Sequence, residues 1–256
     1  MWQVKTKLAF QLNRVYTYLS QKTTILLQNV HTLASNLQRV SVGLASRKRK
    51  QLPPLIFPKH LGILCYTPLP PDFSKVIAEV IVGSFQNFFY SIRDFEVDIP
   101  NYFFENDVRQ RNRDSKGYLL HGTKKFFTLG QKIGQLSRTN IMIAFTDWPI
   151  YSSHSKNAEF LFGEANRALG VCIVSLAPLR EDFYGRESNN PLFLERVLKV
   201  TMHELGHQIL RCFNHCSDST CVLSFAKDIG AVDSRRLGFC PTCKDKIEKL
   251  RAAFNL

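Results

Sequence analysis

One segment near the carboxyl end constrains the fold more than any other: residues 201–207, which read TMHELGH. It carries His203 and His207 at positions i and i+4, with a glutamate directly after the first histidine. Residues four apart lie one above the other on an α-helix, so the two imidazoles can meet one metal ion only if the segment is helical. Upstream, Asn190 provides a favoured helix cap, and Pro191 suits a first helical turn. The sequence therefore predicts a long helix that carries both histidines.

Two histidines and a glutamate at this spacing are typical of zinc-dependent hydrolysis. Imidazole nitrogens bind Zn²⁺ at about 2.0–2.1 Å. Zinc lowers the pKa of a bound water towards about 7, and a neighbouring carboxylate can take its proton as the water attacks a carbonyl. We therefore expect His203 and His207 to be metal ligands and Glu204 to be the general base. A surface helix that carries these residues by chance is the alternative.

A catalytic zinc needs a third protein ligand, and His215 is the nearest candidate. An unbroken helix would place it about 12 Å along the axis from His207, too far to share a metal ion. The helix must therefore end between them, and Asn214 is the residue there that most readily adopts the left-handed conformation. Cys212 is a competing ligand, and a solvent-exposed His215 without a metal is the other alternative.

Four of the seven cysteines form two short pairs that follow this segment. Four residues separate the first pair, two separate the second, and eighteen lie between the pairs. This spacing is typical of a structural zinc site, in which four thiolates fill a tetrahedral shell and leave no position for substrate. Two disulfides or four free thiols are the alternatives. The residues concerned are Cys216, Cys221, Cys240 and Cys243.

Short apolar runs alternate with helical patterns upstream of the motif and indicate a mixed α/β (α+β) body. We predict buried strands at residues 61–66, 141–145 and 171–176. A helix should follow the first strand, capped by Asp72 or Ser74. This order favours a mixed twisted sheet beside the motif helix, with the cysteine pairs in a C-terminal subdomain.

The formal charge of +13 belongs mainly to the N-terminal segment. Residues 1–71 contain ten Lys and Arg and no acid, whereas residues 72–256 contain the other 24 basic residues and all 21 acids, a difference of three. A nearly balanced body argues against nucleic acid as a partner. No apolar run long enough for a transmembrane helix is present.

The same charge pattern predicts two parts: a basic extension and linker at residues 1–60 and a folded domain at residues 61–256. Scattered arginines, nine Ser and Thr and no acids in residues 1–50 are typical of a mitochondrial or other organellar targeting segment. A nuclear signal, a membrane or nucleic-acid contact and a solvated tail are the alternatives. We expect an intracellular, cytoplasmic or organellar, monomeric protein.

The histidine and cysteine patterns together resemble those of the archaemetzincins, a branch of the metzincin-like zinc peptidases. The family pattern is H-E-x-x-H-x-x-G-x-x-H-C, then four residues and C-x-M, with C-x-x-C further on. The resemblance covers roughly residues 61–251 and excludes the basic N-terminal segment. This chain supplies the matching residues His203, Glu204, His207, His215, Cys216, Cys221, Cys240 and Cys243.

The resemblance implies a metzincin-like fold with two zinc ions per chain. The catalytic ion would be held by His203, His207 and His215, and the structural ion by the four paired cysteines. It also implies a zinc metallopeptidase that acts on peptides or proteins, with aminopeptidase action among the family's activities. A zinc-activated water would be the nucleophile and Glu204 its general base.

Three departures from the family pattern leave a second reading open. Leu210 stands where the family has the glycine that ends the helix, and Phe213 stands at the third histidine when no gap is allowed. Leu223 replaces the methionine of the Met-turn, although leucine can fill the same apolar space. A catalytically impaired, zinc-stabilised scaffold or interaction protein of the same family is therefore the alternative.

Overall fold

The computed structural model describes residues 56–67, 70, 72–97, 108–111, 118–154, 160–212 and 214–256, with only the backbone described at 108–111 and 118. The predicted targeting segment and the departure at Phe213 lie outside the described residues. The division of the chain at residue 60 stays a prediction for the same reason.

Nine strands, five α-helices and two short 3-10 helices (Ala177–Leu179 and Asp182–Tyr184) make up the described fold. The strands are β1 (Lys59–Cys65), β2 (Phe89–Glu96), β3 (Val108–Arg111), β4 (Tyr118–Gly122), β5 (Ile141–Thr146), β6 (Ile150–Tyr151), β7 (Phe160–Leu161), β8 (Gly163–Asn166) and β9 (Val171–Ser175). The helices are α1 (Phe73–Ser84), α2 (Thr123–Leu136), α3 (Asn190–Leu210), α4 (Ile229–Ser234) and α5 (Pro241–Ala253).

The main sheet has the strand order β2-β1-β5-β9-β8. Its first four strands are parallel, and β8 runs antiparallel to β9 at one edge. Every residue of β5 and β9 is buried, as expected for central strands covered on both faces. A second, smaller sheet has the order β3-β4-β6-β7. The predicted mixed α/β fold with a mixed sheet is therefore confirmed.

Helix α3 lies against β8 and β9 and carries the histidine motif in its last two turns. Its residues from 196 to 209 are all buried, which is typical of a helix that crosses the centre of a domain. Its cap is one residue earlier than predicted, because the Asn189 side chain accepts a hydrogen bond from the Leu192 N–H at 3.1 Å. Pro191 lies in the first turn, where its missing N–H costs nothing.

The predicted strands and the first helix are found with small shifts. Strand β1 begins at Lys59 rather than Leu61, and Asp72 precedes α1 but makes no side-chain capping bond. Within the described part of the chain, no helix is long and apolar enough to cross a membrane.

Candidate metal centres

His203 and His207 project from one face of α3 and are 7% and 8% exposed. Their Nε2 atoms are 3.1 Å apart. Nδ1 of His203 lies 2.7 Å from the Val222 carbonyl oxygen, and Nδ1 of His207 lies 2.9 Å from that of Cys212. A carbonyl oxygen only accepts hydrogen bonds, so each Nδ1 carries the proton and donates it. Each Nε2 is then unprotonated and presents a lone pair.

Two unprotonated nitrogens at this separation are arranged to bind one metal ion. Lone pairs that face each other across 3.1 Å repel unless a cation lies between them. Two imidazoles on a tetrahedral zinc, with bonds of about 2.0–2.1 Å, would place their nitrogens about 3.3 Å apart. Backbone carbonyls on the far nitrogens are also the usual way in which proteins fix metal-binding histidines.

His215 joins these two rings because α3 ends at Leu210. Arg211, with φ of 50°, takes the left-handed conformation that turns the chain back, so the prediction that Asn214 would do so is wrong. The His215 ring centroid lies 5.2 Å from that of His203 and 5.1 Å from that of His207. One nitrogen of each ring lies within 4.8 Å of the others. His203, His207 and His215 are called the histidine cluster below.

Cys212, the competing ligand, lies outside the histidine cluster. Its Sγ is 3.4 Å from Nδ1 of His207, on the side of the ring away from the shared Nε2 atoms. Its carbonyl oxygen accepts from His207 and also from Arg167, whose Nη1 lies 2.7 Å away. The backbone of Cys212, rather than its thiol, therefore fixes the orientation of His207.

The surroundings keep the cluster uncharged. Loss of hydration lowers the pKa of all three imidazoles, most strongly for the buried His203, and does so even at His215, which stays exposed on one side. The neighbouring rings and the Arg235 guanidinium lower the pKa of His203 further. Neutral imidazole is the form that binds metal ions.

Glu204, next to the first ligand, is 6% exposed. Burial and the charge of Glu164 raise the pKa of its carboxyl group to about 8, while Arg235 acts in the opposite direction. Strand β8 passes very close: a Cβ built on Gly163 would lie 2.8 Å from Oε1 of Glu204. The edge strand therefore borders the carboxylate directly.

Glu164 and Arg235 are polar residues of this site that the motifs did not reveal. Oε1 of Glu164 accepts from the Ser152 hydroxyl at 2.8 Å, whereas Oε2 is buried without a hydrogen-bond partner among the described residues. Arg235 is 5% exposed, and its Nη1 lies 3.4 Å from Nδ1 of His203. Both residues stand outside the histidine and cysteine spacing patterns, and their contacts with the site are visible only in the folded chain.

The second group of ligand atoms comes from the four paired cysteines, whose sulfurs lie within 4.8 Å of one another. All of the chain's cysteines are free thiols, so the disulfide alternative is not adopted. Three of the four are buried and Cys216 is half-buried. Cys216, Cys221, Cys240 and Cys243 are called the cysteine cluster below.

The cysteine cluster is electrostatically suited to a cation. Burial opposes ionisation of Cys240, but hydrogen bonds from its neighbours, the Cys243 backbone first, lower its pKa to about 7. Burial and the adjacent sulfurs raise the pKa of Cys243. One thiolate thus forms easily and opposes the next, so four thiolates together require a bound cation.

Leu223 occupies the floor beneath the motif, as the sequence predicted for a replacement of methionine. It is buried, and a Cβ built on Gly206 would lie only 2.6 Å from its Cδ2. Gly206, between the two histidines, therefore allows this close packing.

Comparison with known proteins places these features in a family. The family model "Peptidase family M54" matches residues 132–249, which contain both clusters. An archaemetzincin from Thermococcus kodakarensis is 30% identical over 166 residues, 65% of this chain and 86% of that protein. This chain belongs to the archaemetzincin family. A second archaemetzincin, from Sulfolobus acidocaldarius, is 39% identical over 93 residues, 36% of this chain and 50% of that protein.

Solved structures agree with this family's fold. The archaemetzincin of Methanopyrus kandleri has a TM-score of 0.56 and 20% identity, over 80% of this chain and 98% of its own. A zinc-dependent peptidase from Methanocorpusculum labreanum has a TM-score of 0.55 and 18% identity, over 73% and 99% of the two chains. These similarities establish the fold of the chain.

Proposed function

We propose that this archaemetzincin-family chain is a zinc-dependent metallopeptidase that hydrolyses peptide bonds. The histidine cluster would hold the catalytic ion, and the cysteine cluster would hold a structural one. The main observation behind the proposal is that the unprotonated Nε2 atoms of His203 and His207 lie 3.1 Å apart. A backbone carbonyl orients each of these two rings, and His215 lies beside them. The M54 match supports the same reaction class.

Zinc, when bound, would supply Lewis-acid activation of water and of the scissile carbonyl. The residues of the chain supply the rest. The carbonyls of Val222 and Cys212 hold the protons on Nδ1 and thereby keep both ligand rings in one tautomer. Glu204 accepts the proton of the attacking water at its carboxylate and passes it to the leaving amine, and its raised pKa makes this carboxylate a stronger proton acceptor than an ordinary glutamate.

The peptide substrate is supported by strand β8. Among the described strands it pairs only with β9, so its other edge can pair with an extended peptide. Because Gly163 on this strand lies against Glu204, a peptide paired there would pass close to the general base. A peptide or protein is therefore the partner that we propose.

Aminopeptidase action is the finer proposal, and Glu164 supports it. Its Oε2 has no hydrogen-bond partner among the described residues, and its charge acts on Glu204, so it places negative charge beside the proposed site. A protonated amino terminus would complement that charge. Peptides with free amino termini should then be cleaved faster than the same peptides with acetylated termini, and equal rates would contradict this preference.

Metal content and hydrolysis together test the reaction. Wild-type protein should bind two zinc ions, and His215→Ala should bind one with no detectable peptide hydrolysis. Glu204→Gln should keep both ions but lose hydrolysis, because it removes only the base. One ion in both wild type and His215→Ala would contradict the catalytic site and favour the scaffold alternative. Hydrolysis that survives in Glu204→Gln would remove Glu204 as base.

A further inference from the structure

We propose that the cysteine cluster positions the histidine cluster, so that tight metal binding at the histidines requires metal at the cysteines. This inference rests on the proposed function, because both clusters must bind metal. Three connections between the clusters support it: a carbonyl, a peptide bond and a buried cation.

The carbonyl belongs to Val222, the residue directly after Cys221. It accepts the Nδ1 proton of His203 at 2.7 Å and so sets the tautomer of that ring. The same short segment is held by the cysteine cluster, since the Cys240 N–H donates to Sγ of Cys221 at 3.4 Å. A metal that joins Cys221 to the other three sulfurs would fix the Val222 carbonyl in place. Val222 is therefore a positioning residue for His203.

The peptide bond joins His215 to Cys216. Neighbouring Cα atoms are about 3.8 Å apart, so an anchored Cys216 leaves little freedom for the position of His215. Cys216 is itself tied to the same segment, because its N–H donates to the Leu223 carbonyl at 2.8 Å. His215 is exposed and follows the turn that ends α3, and Cys216 is the anchor on its C-terminal side.

The buried cation is Arg235. It lies against His203, and its charge affects both Glu204 and Cys221. A dication at the histidines would be repelled by this guanidinium. Four thiolates around Zn²⁺ carry a net charge of roughly −2, which offsets the repulsion when the cysteine cluster is filled. When the cysteine cluster holds no ion, less negative charge is available to offset the positive charge of Arg235.

His207 provides an internal contrast. Its orienting carbonyl belongs to Cys212, which lies outside the cysteine cluster and whose oxygen also accepts a hydrogen bond from Arg167. Loss of metal from the cysteines should therefore disturb His203 and His215 and leave His207 in place. Two of three ligands out of position would weaken metal binding without unfolding the sheet.

Cobalt(II) titration of the full chain tests the dependence, because cobalt bound to thiolates absorbs differently from cobalt bound to histidines. Cys243→Ser should lose the thiolate absorption and bind cobalt at the histidines about 10–100-fold more weakly, the usual cost of losing an orienting contact. Cys65→Ser, a buried cysteine outside both clusters, is the matched control and should retain wild-type affinity. Circular dichroism checks that each variant is folded.

A second measurement keeps the proposal testable if Cys243→Ser does not fold. Coupling between two binding sites is reciprocal. His207→Ala removes a ligand that does not contact the cysteine segment. In competition with a chelator, the cysteine cluster of this variant should therefore bind cobalt roughly 10–100-fold more weakly than in wild type, the same factor as expected at the histidines of Cys243→Ser.

The outcomes separate this inference from the proposed function. Unchanged histidine affinity in folded Cys243→Ser, or unchanged cysteine retention in His207→Ala, would overturn the coupling while leaving a two-metal peptidase intact. A wild-type protein that binds one cobalt ion would instead contradict the proposed function, and the coupling with it.

Discussion

Gly163 approaches Glu204 so closely that a methyl group at Gly163 would lie 2.8 Å from the carboxylate and 2.9 Å from the Ile173 carbonyl oxygen. Carbon atoms do not approach oxygens at these distances without displacement of one partner, and the Ile173 oxygen is backbone. Strand β8 and helix α3 are thus in direct contact. This contact is possible because Gly163 has no side chain.

Gly163→Ala should therefore lower kcat/KM by about 10–100-fold, because it moves either the proposed base or the edge strand. Zinc content should stay at the wild-type value, since the atoms nearest to a Cβ at Gly163 belong to Glu204 and Ile173, which are not proposed ligands. Gly238→Ala is the matched control, because a Cβ there meets no atom within 4 Å. Equal activity of the two variants would contradict the close packing of Gly163.

Arg211→Gly should stabilise the protein by about 1 kcal/mol in urea-induced unfolding. Arg211 adopts φ of 50°, a conformation that is costly for any residue with a Cβ and free of that cost for glycine. Arg211→Ala loses the same side chain but keeps the Cβ, so it should show no gain. A gain in both variants would assign the effect to the arginine side chain instead of the turn.

Glu204→Gln should change how the stability of the metal-free protein depends on pH. The folded pKa of Glu204 is about 8 against an ordinary 4.5, so between these values the folded state holds a proton that the unfolded state has lost. Stability must then fall as the pH rises through this window. The variant should lack this part of the decline in thermal unfolding measured from pH 4.5 to 8, and parallel curves would contradict the raised pKa.

Cys212→Ala should bind cobalt at the histidine cluster within about threefold of the wild-type affinity, a cost below the 10–100-fold typical of a lost orienting contact. His207 contacts the Cys212 carbonyl, which the substitution keeps, and Arg167 holds the same oxygen. His215→Ala, which removes a proposed ligand, serves as the comparison and should lose most of the affinity. A large loss of cobalt affinity in Cys212→Ala would indicate that the Cys212 thiol is a ligand.

The sequence predicted the parts of this molecule that depend on local spacing. Helical periodicity puts His203 and His207 on one face, and the apolar runs at 141–145 and 171–176 become β5 and β9 because burial on both faces leaves a continuous apolar signal. Strand β8 was not predicted as a site-bordering strand, since Gly163–Asn166 carries no such run and owes its position to pairing with β9.

Other parts of the site follow from tertiary structure and leave no local signal. A backbone carbonyl such as that of Val222 exists at every residue, so its role towards His203 is visible only in the folded chain. Arg211 takes the left-handed turn although Asn214 has the greater intrinsic preference, because the helix ends at Leu210 and the turn must follow at once. Arg235 lies 32 residues from the histidine that it contacts.

The contrast in exposure between the two clusters has a consequence for the exchange of their ions. His215 is exposed, whereas three of the four sulfurs are buried. A chelator can reach an ion at the histidines from solvent, but an ion at the cysteines must wait for the segment around Cys221 to open. We expect one ion to exchange within a brief dialysis and the other to survive it, so that the same protein can be prepared with either one or two metals by choice of time alone.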